Sequence, residues 1–301
     1  MLGSSLKSAS PRWVKDAANT ATRKYALATV RDRPAPDFLI VGTKRGGTTS
    51  LFNYLLMHPG VLGLFPQSRG KKSTDYFFKD YGRGEAWYRS HFHAEQHRRR
   101  LARTLGYAPV GGEASPFYIW DPRIVHRVQR TSPAVKAVML LRDPTRRAWS
   151  HFLERKQNGV EPLDFEQALE AEEARTSGEL EAMLADPSYH SEAYDWYSYR
   201  ARGVYLPQLL HWRSVFPSEQ LLVLRSEDLY ADVQGTVDTV CDFLGIGRHL
   251  LPTDRTFNAS RPGPRMREET RRELAQFYAP HNAQLEEHLG RTMGWQTPHG
   301  G

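Results

Sequence analysis

The chain has 301 residues, and its 41 Lys and Arg against 34 Asp and Glu give a formal net charge of +7. The one cysteine, Cys241, excludes an internal disulfide, and no Cys or His spacing typical of a zinc site is present. The N-terminus has no long apolar run of the kind that marks a signal peptide or a membrane anchor, so we expect a cytoplasmic protein.

Residues 1–35 are predicted to form an N-terminal extension. They are polar, with scattered apolar positions such as Trp13, Val14, Tyr25 and Leu27. This pattern indicates an amphipathic helix. Packing of that helix on the rest of the protein is the favoured arrangement, and peripheral contact with a membrane surface is the alternative.

A strand, a glycine turn and a helix start follow one another directly after the extension. Residues 38–41 are apolar and predict a buried strand, and Gly42, Gly46 and Gly47 allow the backbone to turn its amides toward an anion. The hydroxyl residues at 48–50 then open a helix whose positive end faces the same point. The segment therefore predicts a phosphate-binding loop.

The cations of this loop are displaced relative to a nucleoside triphosphatase. In the pattern Gly-x-x-x-x-Gly-Lys-[Ser/Thr] a lysine follows the last glycine, but this chain has Thr48 there and carries Lys44 and Arg45 inside the loop. A triphosphatase needs that lysine on its β and γ phosphates. The displacement favours a smaller anion, such as one phosphate linked to a sulfuryl group.

A second strand and helix start lie about a hundred residues further on. The apolar run at 135–141 is typical of a parallel strand that is buried on both faces. Pro144 favours the first position of a helix, which places Arg142 at the strand end and Ser150 about two turns into the helix. A guanidinium and a hydroxyl so arranged are expected to converge on one anion.

The remaining pattern alternates helices with strands, which predicts an α/β fold: a P-loop-like parallel β-sheet flanked by helices, in a single domain over residues 36–298. Residues 161–200 are predicted to be a helical insertion, or lid, near an acceptor, where aromatic residues including Tyr194 and Tyr199 would stack on a sugar or aromatic ring. The alternative is a surface pair of helices held together by the same aromatic residues. Helices are predicted at 120–130, 164–175, 204–216, 233–244, 267–278 and 281–289, and a strand at 220–224.

The two anion-binding segments together resemble those of the sulfotransferases that use 3′-phosphoadenosine 5′-phosphosulfate (PAPS). Residues 43–51 resemble the loop for the 5′-phosphosulfate, and residues 141–144 with Ser150 resemble the site for the 3′-phosphate. The resemblance covers about residues 36–296, and its closest type is the bacterial group related to heparan sulfate sulfotransferases. Further segments resemble the family in the expected order, namely 72–78, 112–116, 202–205, 226–229 and 282–295.

The resemblance implies transfer of a sulfuryl group from PAPS to a hydroxyl or amine of a carbohydrate, glycolipid or small-molecule acceptor, by in-line displacement and without a metal. It leaves the acceptor and the oligomeric state open. The residues expected to bind the donor are Thr43, Lys44, Arg45, Gly46, Gly47, Thr48, Thr49, Ser50, Arg142, Ser150 and Arg261.

The chain departs from the family pattern at two catalytic positions. The heparan-type loop commonly has its catalytic lysine directly before the Gly-Gly pair, where this chain has Arg45, so either Lys44 or Arg45 is expected to act on the leaving oxygen. The family's Lys-Glu motif, whose glutamate is the usual general base, reads Lys72-Ser73 here. Asp75 and Glu113 are the nearest carboxylate candidates for the base.

Two other functions are compatible with parts of the sequence. A P-loop kinase would use Asp143 to hold Mg²⁺, but Thr48 stands where its lysine belongs. A nucleic-acid-binding protein would use the basic run at 97–103, but no recognition helix or stacking platform surrounds it. We therefore expect no nucleic-acid partner.

Overall fold

The computed structural model of the chain describes residues 12–66, 71–252 and 264–295. These residues form one five-stranded sheet with the order β2-β3-β1-β4-β5, in which every neighbouring pair is parallel. The strands are β1 (Phe38–Gly42), β2 (Val61–Leu62), β3 (Val110–Ala114), β4 (Lys136–Leu141) and β5 (Leu221–Arg225).

Helices flank the sheet, which confirms the predicted α/β class. In the described part of the chain they are α1 (Arg12–Ala28), α2 (Thr48–Leu55), α3 (Glu85–Arg89), α4 (Glu95–Leu105), α5 (Pro122–Thr131), α6 (Pro144–Gln157), α7 (Phe165–Glu170), α8 (Glu172–Thr176), α9 (Glu179–Ala185), α10 (Glu192–Tyr197), α11 (Tyr205–Arg213), α12 (Ser226–Ala231), α13 (Val233–Leu244) and α14 (Glu268–Leu289). Short 3₁₀ turns lie at Val30–Asp32, Tyr81–Arg83, Ala201–Gly203 and Ser218–Gln220.

The two central strands are buried on both faces. Successive residues of a strand point to opposite faces, and alternate residues of β1 and β4 accordingly belong to two separate hydrophobic clusters. Leu39 and Met139 lie in one cluster, and Ile40 and Leu140 lie in the other, all with no exposed surface. Because β1 and β4 are adjacent and parallel, the loops at their carboxyl ends lie side by side.

Two predicted helix boundaries are wrong. The acidic segment expected as one helix at 164–175 forms the two short helices α7 and α8. The two helices expected at 267–278 and 281–289 form the single helix α14, which continues through Pro280. Proline removes one helical hydrogen bond, but Leu274 and Leu285 are buried on either side of it and keep both halves packed on the protein.

The N-terminal extension packs on the rest of the protein through α1. The Arg23 guanidinium donates hydrogen bonds to the carbonyl oxygens of Ser90 at 2.6 Å and Phe65 at 3.0 Å. Ala26 has no exposed surface. Among the described helices, none has the length and hydropathy needed to cross a membrane.

The insertion at 161–200 contains α7 to α10 and is tied to α5. The Arg123 guanidinium donates to the carbonyl oxygens of Met183 at 3.0 Å and Tyr189 at 2.8 Å. The prediction that Tyr199 stacks on a ligand is wrong because this side chain is fully buried. Tyr194 instead stacks on Trp120, with ring centroids 4.7 Å apart.

A buried carboxylate ties β3 to the segment that follows β2. Glu113 has no exposed surface, and its oxygens accept hydrogen bonds from the Thr74 amide at 2.6 Å, the Tyr118 hydroxyl at 2.9 Å and the Tyr88 hydroxyl at 3.1 Å. Burial raises the pKa of Glu113 to about 7, against the lowering effect of the hydrogen bond from Thr74.

The raised pKa of Glu113 predicts a pH-dependent stability. A pKa that is higher in the folded than in the unfolded protein gives a contribution that is fully present below the unfolded value of about 4.3 and is lost as the pH rises through about 7. The free energy of unfolding of the wild type, measured by urea denaturation, should fall over this range by on the order of 1–3 kcal/mol relative to Glu113→Gln.

Glu219→Gln, at an exposed glutamate, is the matched control and should keep the wild-type pH dependence. Parallel stability curves for the wild type and Glu113→Gln would contradict the assignment.

Candidate active site

A cleft of about 1190 Å³ opens at the carboxyl-terminal edge of the sheet. It lies between the loop after β1, the segment 71–75, the segment after β3, the second half of α6 and α12. The residues that line it are Lys44, Arg45, Gly47, Thr48, Thr49, Lys71, Lys72, Ser73, Asp75, Pro116, Phe117, Arg142, Ser150, Glu154, Gln157 and Tyr230. The cleft therefore brings together most of the residues predicted from the two anion-binding segments.

The loop after β1 is held against the end of β4. The Thr43 amide donates to the Leu140 carbonyl oxygen at 2.9 Å, and a Cβ atom on Gly46 would lie 2.5 Å from the same oxygen. Gly47 has a φ of 93°, in the left-handed region that glycine adopts without strain. Glycine at these two positions therefore lets the loop pack directly against the end of β4 and turn into α2.

Three of the predicted donor-binding residues support the loop from behind or within it. Thr43 is 1% exposed and Ser50 is fully buried. The Gly46 carbonyl oxygen accepts a hydrogen bond from the Ser226 hydroxyl at 2.8 Å. Their contribution in this structure is to shape the loop, while Thr48 and Thr49 line the cleft.

Arg45 connects the two predicted anion sites. Its Nε donates to the Ser150 Oγ at 2.9 Å, and its carbonyl oxygen accepts from Nη1 of Arg142 at 3.0 Å. Its φ of 72° places a non-glycine residue in the left-handed region, a strained conformation that is often found at functional sites. The side chain of Arg45 therefore lies on the side of the cleft formed by β4 and α6.

The helix that carries Ser150 begins as predicted. Pro144 occupies its first turn, and the Asp143 carboxylate caps it by accepting hydrogen bonds from the amides of Thr145 at 2.8 Å and Arg146 at 3.2 Å. Asp143 thus serves as a helix cap, which is not the role that a kinase would require of it.

Lys44, unlike the exposed Arg45, lies in a nearly dry environment. Its side chain is 4% exposed, and its Nζ lies 3.4 Å from Glu154 Oε2 and 5.3 Å from the centre of the Phe117 ring. Within the described residues this Nζ forms no hydrogen bond. The pKa of Lys44 is lowered to about 7. Burial is the main cause, the nearby Arg202 contributes to the lowering, and Glu154 opposes it.

Lys72 and Asp75 face the cleft from the segment after β2. Lys72 Nζ donates to the Thr48 Oγ1 at 3.2 Å, and burial lowers the pKa of Lys72 to about 8 against the effect of Asp75. Asp75 Oδ1 accepts hydrogen bonds from the hydroxyls of Ser73 at 2.8 Å and Ser115 at 3.4 Å. Asp75 is thus a hydrogen-bonded carboxylate at the cleft surface.

The other predicted base, Glu113, lies behind the cleft. It is fully buried, and its carboxylate is occupied by two tyrosine hydroxyls and the Thr74 amide, so it has no exposed atom that could touch an acceptor. The predicted donor contact Arg261 lies outside the described residues.

Three charged residues of the cleft, Lys71, Lys72 and Glu154, were not predicted as site residues. Lys72 stood inside a recognised motif but was not assigned to the site. Glu154 lies four residues after Ser150 on α6, and residues at this spacing share one face of a helix. That spacing was the available signal for Glu154. In the described part of the chain, no group of three or more His, Cys, Asp or Glu side chains could hold a metal ion.

The basic run at 97–103 is partly neutralised by neighbouring acids. Nη2 of Arg98 lies 2.9 Å from Asp37 Oδ2, and Nε of Arg99 lies 3.1 Å from Glu95 Oε1. These two arginines pair within the protein, which is the arrangement of a solvated helix face.

Known proteins that resemble this chain in sequence include sulfotransferases. The chain is 29% identical to the membrane-associated sulfotransferase kil1 of Dictyostelium discoideum, over 87% of this chain and 66% of that protein. It is also 29% identical to human heparan sulfate glucosamine 3-O-sulfotransferase 6, over 87% of this chain and 74% of that enzyme. The chain thus spans about two thirds to three quarters of these relatives.

A solved structure and a family profile give the same result. The crystal structure of a sulfotransferase from Alicyclobacillus acidocaldarius superposes with a TM-score of 0.62 and 27% sequence identity, covering 85% of this chain and 96% of that one. The profile of the sulfotransferase domain matches residues 35–272. The chain therefore belongs to the sulfotransferase family.

Proposed function

We propose that the protein transfers a sulfuryl group from PAPS to a hydroxyl or amine of a carbohydrate, glycolipid or small-molecule acceptor. The observation that carries the proposal is the bridge made by Arg45, which is hydrogen-bonded to both Ser150 and Arg142. The bridge joins a loop suited to a 5′-phosphosulfate to a pair suited to a 3′-phosphate. A donor with anionic groups at both ends matches this arrangement.

The residues of the loop fit the phosphosulfate end of such a donor. Gly46 lets the loop pack directly against the end of β4, and the first amides of a helix such as α2 have no acceptor within the helix. The buried Nζ of Lys44, which forms no hydrogen bond within the described residues, provides a cation without a strong partner. A buried ammonium group of this kind requires negatively charged oxygen atoms as partners.

The mechanism follows from where the charges lie. The acceptor oxygen forms a bond to sulfur as the bond between sulfur and the bridging oxygen breaks, and negative charge grows on that oxygen. Lys44 and Lys72 are suited to stabilise this charge in a site where water is scarce. The Thr48 hydroxyl accepts a hydrogen bond from Lys72 and so links Lys72 to the loop. Asp75 takes the proton of the acceptor, because it is the predicted base that lines the cleft.

We also propose that the insertion at 161–200 covers the acceptor side of the cleft. Asp195 of α10 forms an ion pair with Arg202 at 2.5 Å, and Arg202 lies 5.7 Å from the centre of the Phe117 ring, which lines the cleft. Both charges act on the pKa of Lys44. The insertion is therefore electrostatically coupled to the cleft.

The first acceptors to test are glycan hydroxyls. The name of the human relative describes sulfation of glucosamine in heparan sulfate, which supports this class as a starting point. Incubation with ³⁵S-labelled PAPS and a panel of glycan, glycolipid and phenolic acceptors should label at least one of them and release adenosine 3′,5′-bisphosphate. Tight binding of Mg-ATP with no binding of the bisphosphate would contradict the proposal.

Arg142→Ala should weaken the binding of adenosine 3′,5′-bisphosphate by about 10- to 100-fold, because a charged hydrogen bond to the 3′-phosphate is lost. Binding of adenosine 5′-monophosphate, which lacks that phosphate, should change little. Isothermal titration calorimetry of both ligands gives the comparison. Arg99→Ala removes an equal charge from a side chain that is 72% exposed and serves as the control; equal losses for both nucleotides in Arg142→Ala would refute the assignment.

Asp75→Asn should lower kcat by about 10²- to 10⁴-fold while leaving the affinity for the bisphosphate unchanged, because it removes the proton acceptor but not the donor site. Initial rates with an acceptor found in the panel provide the measurement. Asp80→Asn, at a carboxylate that is 38% exposed, is the control. A kcat close to that of the wild type would exclude Asp75 as the base.

A further inference from the structure

Two carboxylates line the described part of the cleft, and Glu154 is the one without a role in the reaction above. Its side chain is 25% exposed. Oε1 accepts a hydrogen bond from Nη2 of Arg155 at 2.7 Å, whereas Oε2 accepts none within the described residues and lies 3.4 Å from Lys44 Nζ. The acid and the cation thus form an ion pair without a hydrogen bond, at the edge of the space that a donor would enter.

The other charges around Lys44 do not replace Glu154. Arg202 and Arg155 are cations and oppose its protonation, and Asp195 is already paired with Arg202 at 2.5 Å. His151, which is also near, is fully buried, and burial holds its pKa well below the ordinary value. Among the described carboxylates, Glu154 is the one within ion-pair distance of Lys44.

The charge of Glu154 is maintained despite its partial burial. Burial acts to raise the pKa of Glu154, but Lys44 and Arg155 together outweigh this effect and hold the pKa below its ordinary value. The carboxylate is therefore ionised at neutral pH and supplies the negative charge that a desolvated ammonium group requires.

We propose that Glu154 is a positioning residue, the counter-ion that keeps Lys44 protonated in the empty enzyme. When the donor binds, its anionic oxygens replace Glu154 as the partner of Lys44. This inference rests on the proposed function, since it requires a donor that approaches Lys44. The 3.4 Å contact without a hydrogen bond suits such an exchange. A hydrogen-bonded, fully buried pair resists separation, whereas the donor's oxygens can replace this partner directly.

The exchange makes donor binding depend on pH in a defined direction. The donor needs the ammonium form of Lys44, so its affinity is constant below the pKa of Lys44, near 7, and falls above it. Removing the carboxylate takes away the charge that supports protonation, so the fall should begin at lower pH. Below that range, loss of a negative charge beside the anion should leave binding unchanged or tighter.

The first measurement concerns the empty enzyme. The pKa of Lys44 can be followed by NMR of ¹³C-labelled lysine, with the resonance identified by its loss in Lys44→Met. Glu154→Gln should lower this pKa by about one unit, and Glu154→Asp should restore part of the shift. Glu173→Gln, at an exposed glutamate of α8, should leave it unchanged.

The second measurement is calorimetric binding of adenosine 3′,5′-bisphosphate across pH. At about pH 8 the Glu154→Gln variant should bind about tenfold more weakly than the wild type, since one pKa unit corresponds to a factor of ten, and at about pH 5 the difference should vanish or reverse. The bisphosphate itself titrates in this range, but equally for every variant.

The outcomes separate the alternatives. Affinity lowered by the same factor at every pH would show that Glu154 only supports the fold, and affinity raised at every pH would show that it only competes with the donor; either result overturns the inference. An unchanged pKa of Lys44 in Glu154→Gln also overturns it. If the wild type does not bind the bisphosphate, the proposed function fails, while the NMR measurement still decides whether Glu154 is the counter-ion.

Discussion

The pairing of β1 with β4 is the constraint on which the active site depends. The two strands run in parallel with Gly42 opposite Met139, and the Thr43 amide is hydrogen-bonded to the Leu140 carbonyl oxygen at 2.9 Å. This register brings the glycine loop and the segment that begins at Arg142 to the same edge of the sheet. A parallel sheet places its ligand sites at this edge, because the carboxyl ends of its strands and the positive ends of the following helices meet there.

The cleft gathers several cations, of which Arg45 is exposed and three others are partly or fully buried. Lys44, Arg45, Lys72 and Arg142 all line it, and burial lowers the pKa of Lys44, Lys72 and Arg142 from their ordinary values. Gathering such charges costs free energy in the empty protein. A polyanionic donor offsets that cost when it binds, so the arrangement favours binding of the ligand and, as charge develops on the leaving oxygen, stabilisation of the transition state.

Rigid supports hold these cations in place. Glu113 of β3 accepts a hydrogen bond from the Thr74 amide. This bond holds the segment that carries Lys72 and Asp75 against β3. The Gly46 carbonyl oxygen is fastened to Ser226. A site assembled from several separate chain segments needs such anchors, because small displacements of a reacting group reduce the rate strongly. Glu113, which the sequence offered as a candidate general base, instead supports the site from behind.

The sequence alone determined the fold class and the donor-side loop, because both rest on local patterns. Apolar runs predict buried strands, Gly46 and Gly47 mark a tight turn, and Pro144 marks a helix start. Tertiary structure alone decided the course of α14 through Pro280, because packing on both sides of the proline outweighs its local preference. It also decided that Arg45 turns toward Ser150 and Lys44 toward Glu154, since these contacts join residues about a hundred positions apart and depend on burial and distance, which no local pattern encodes.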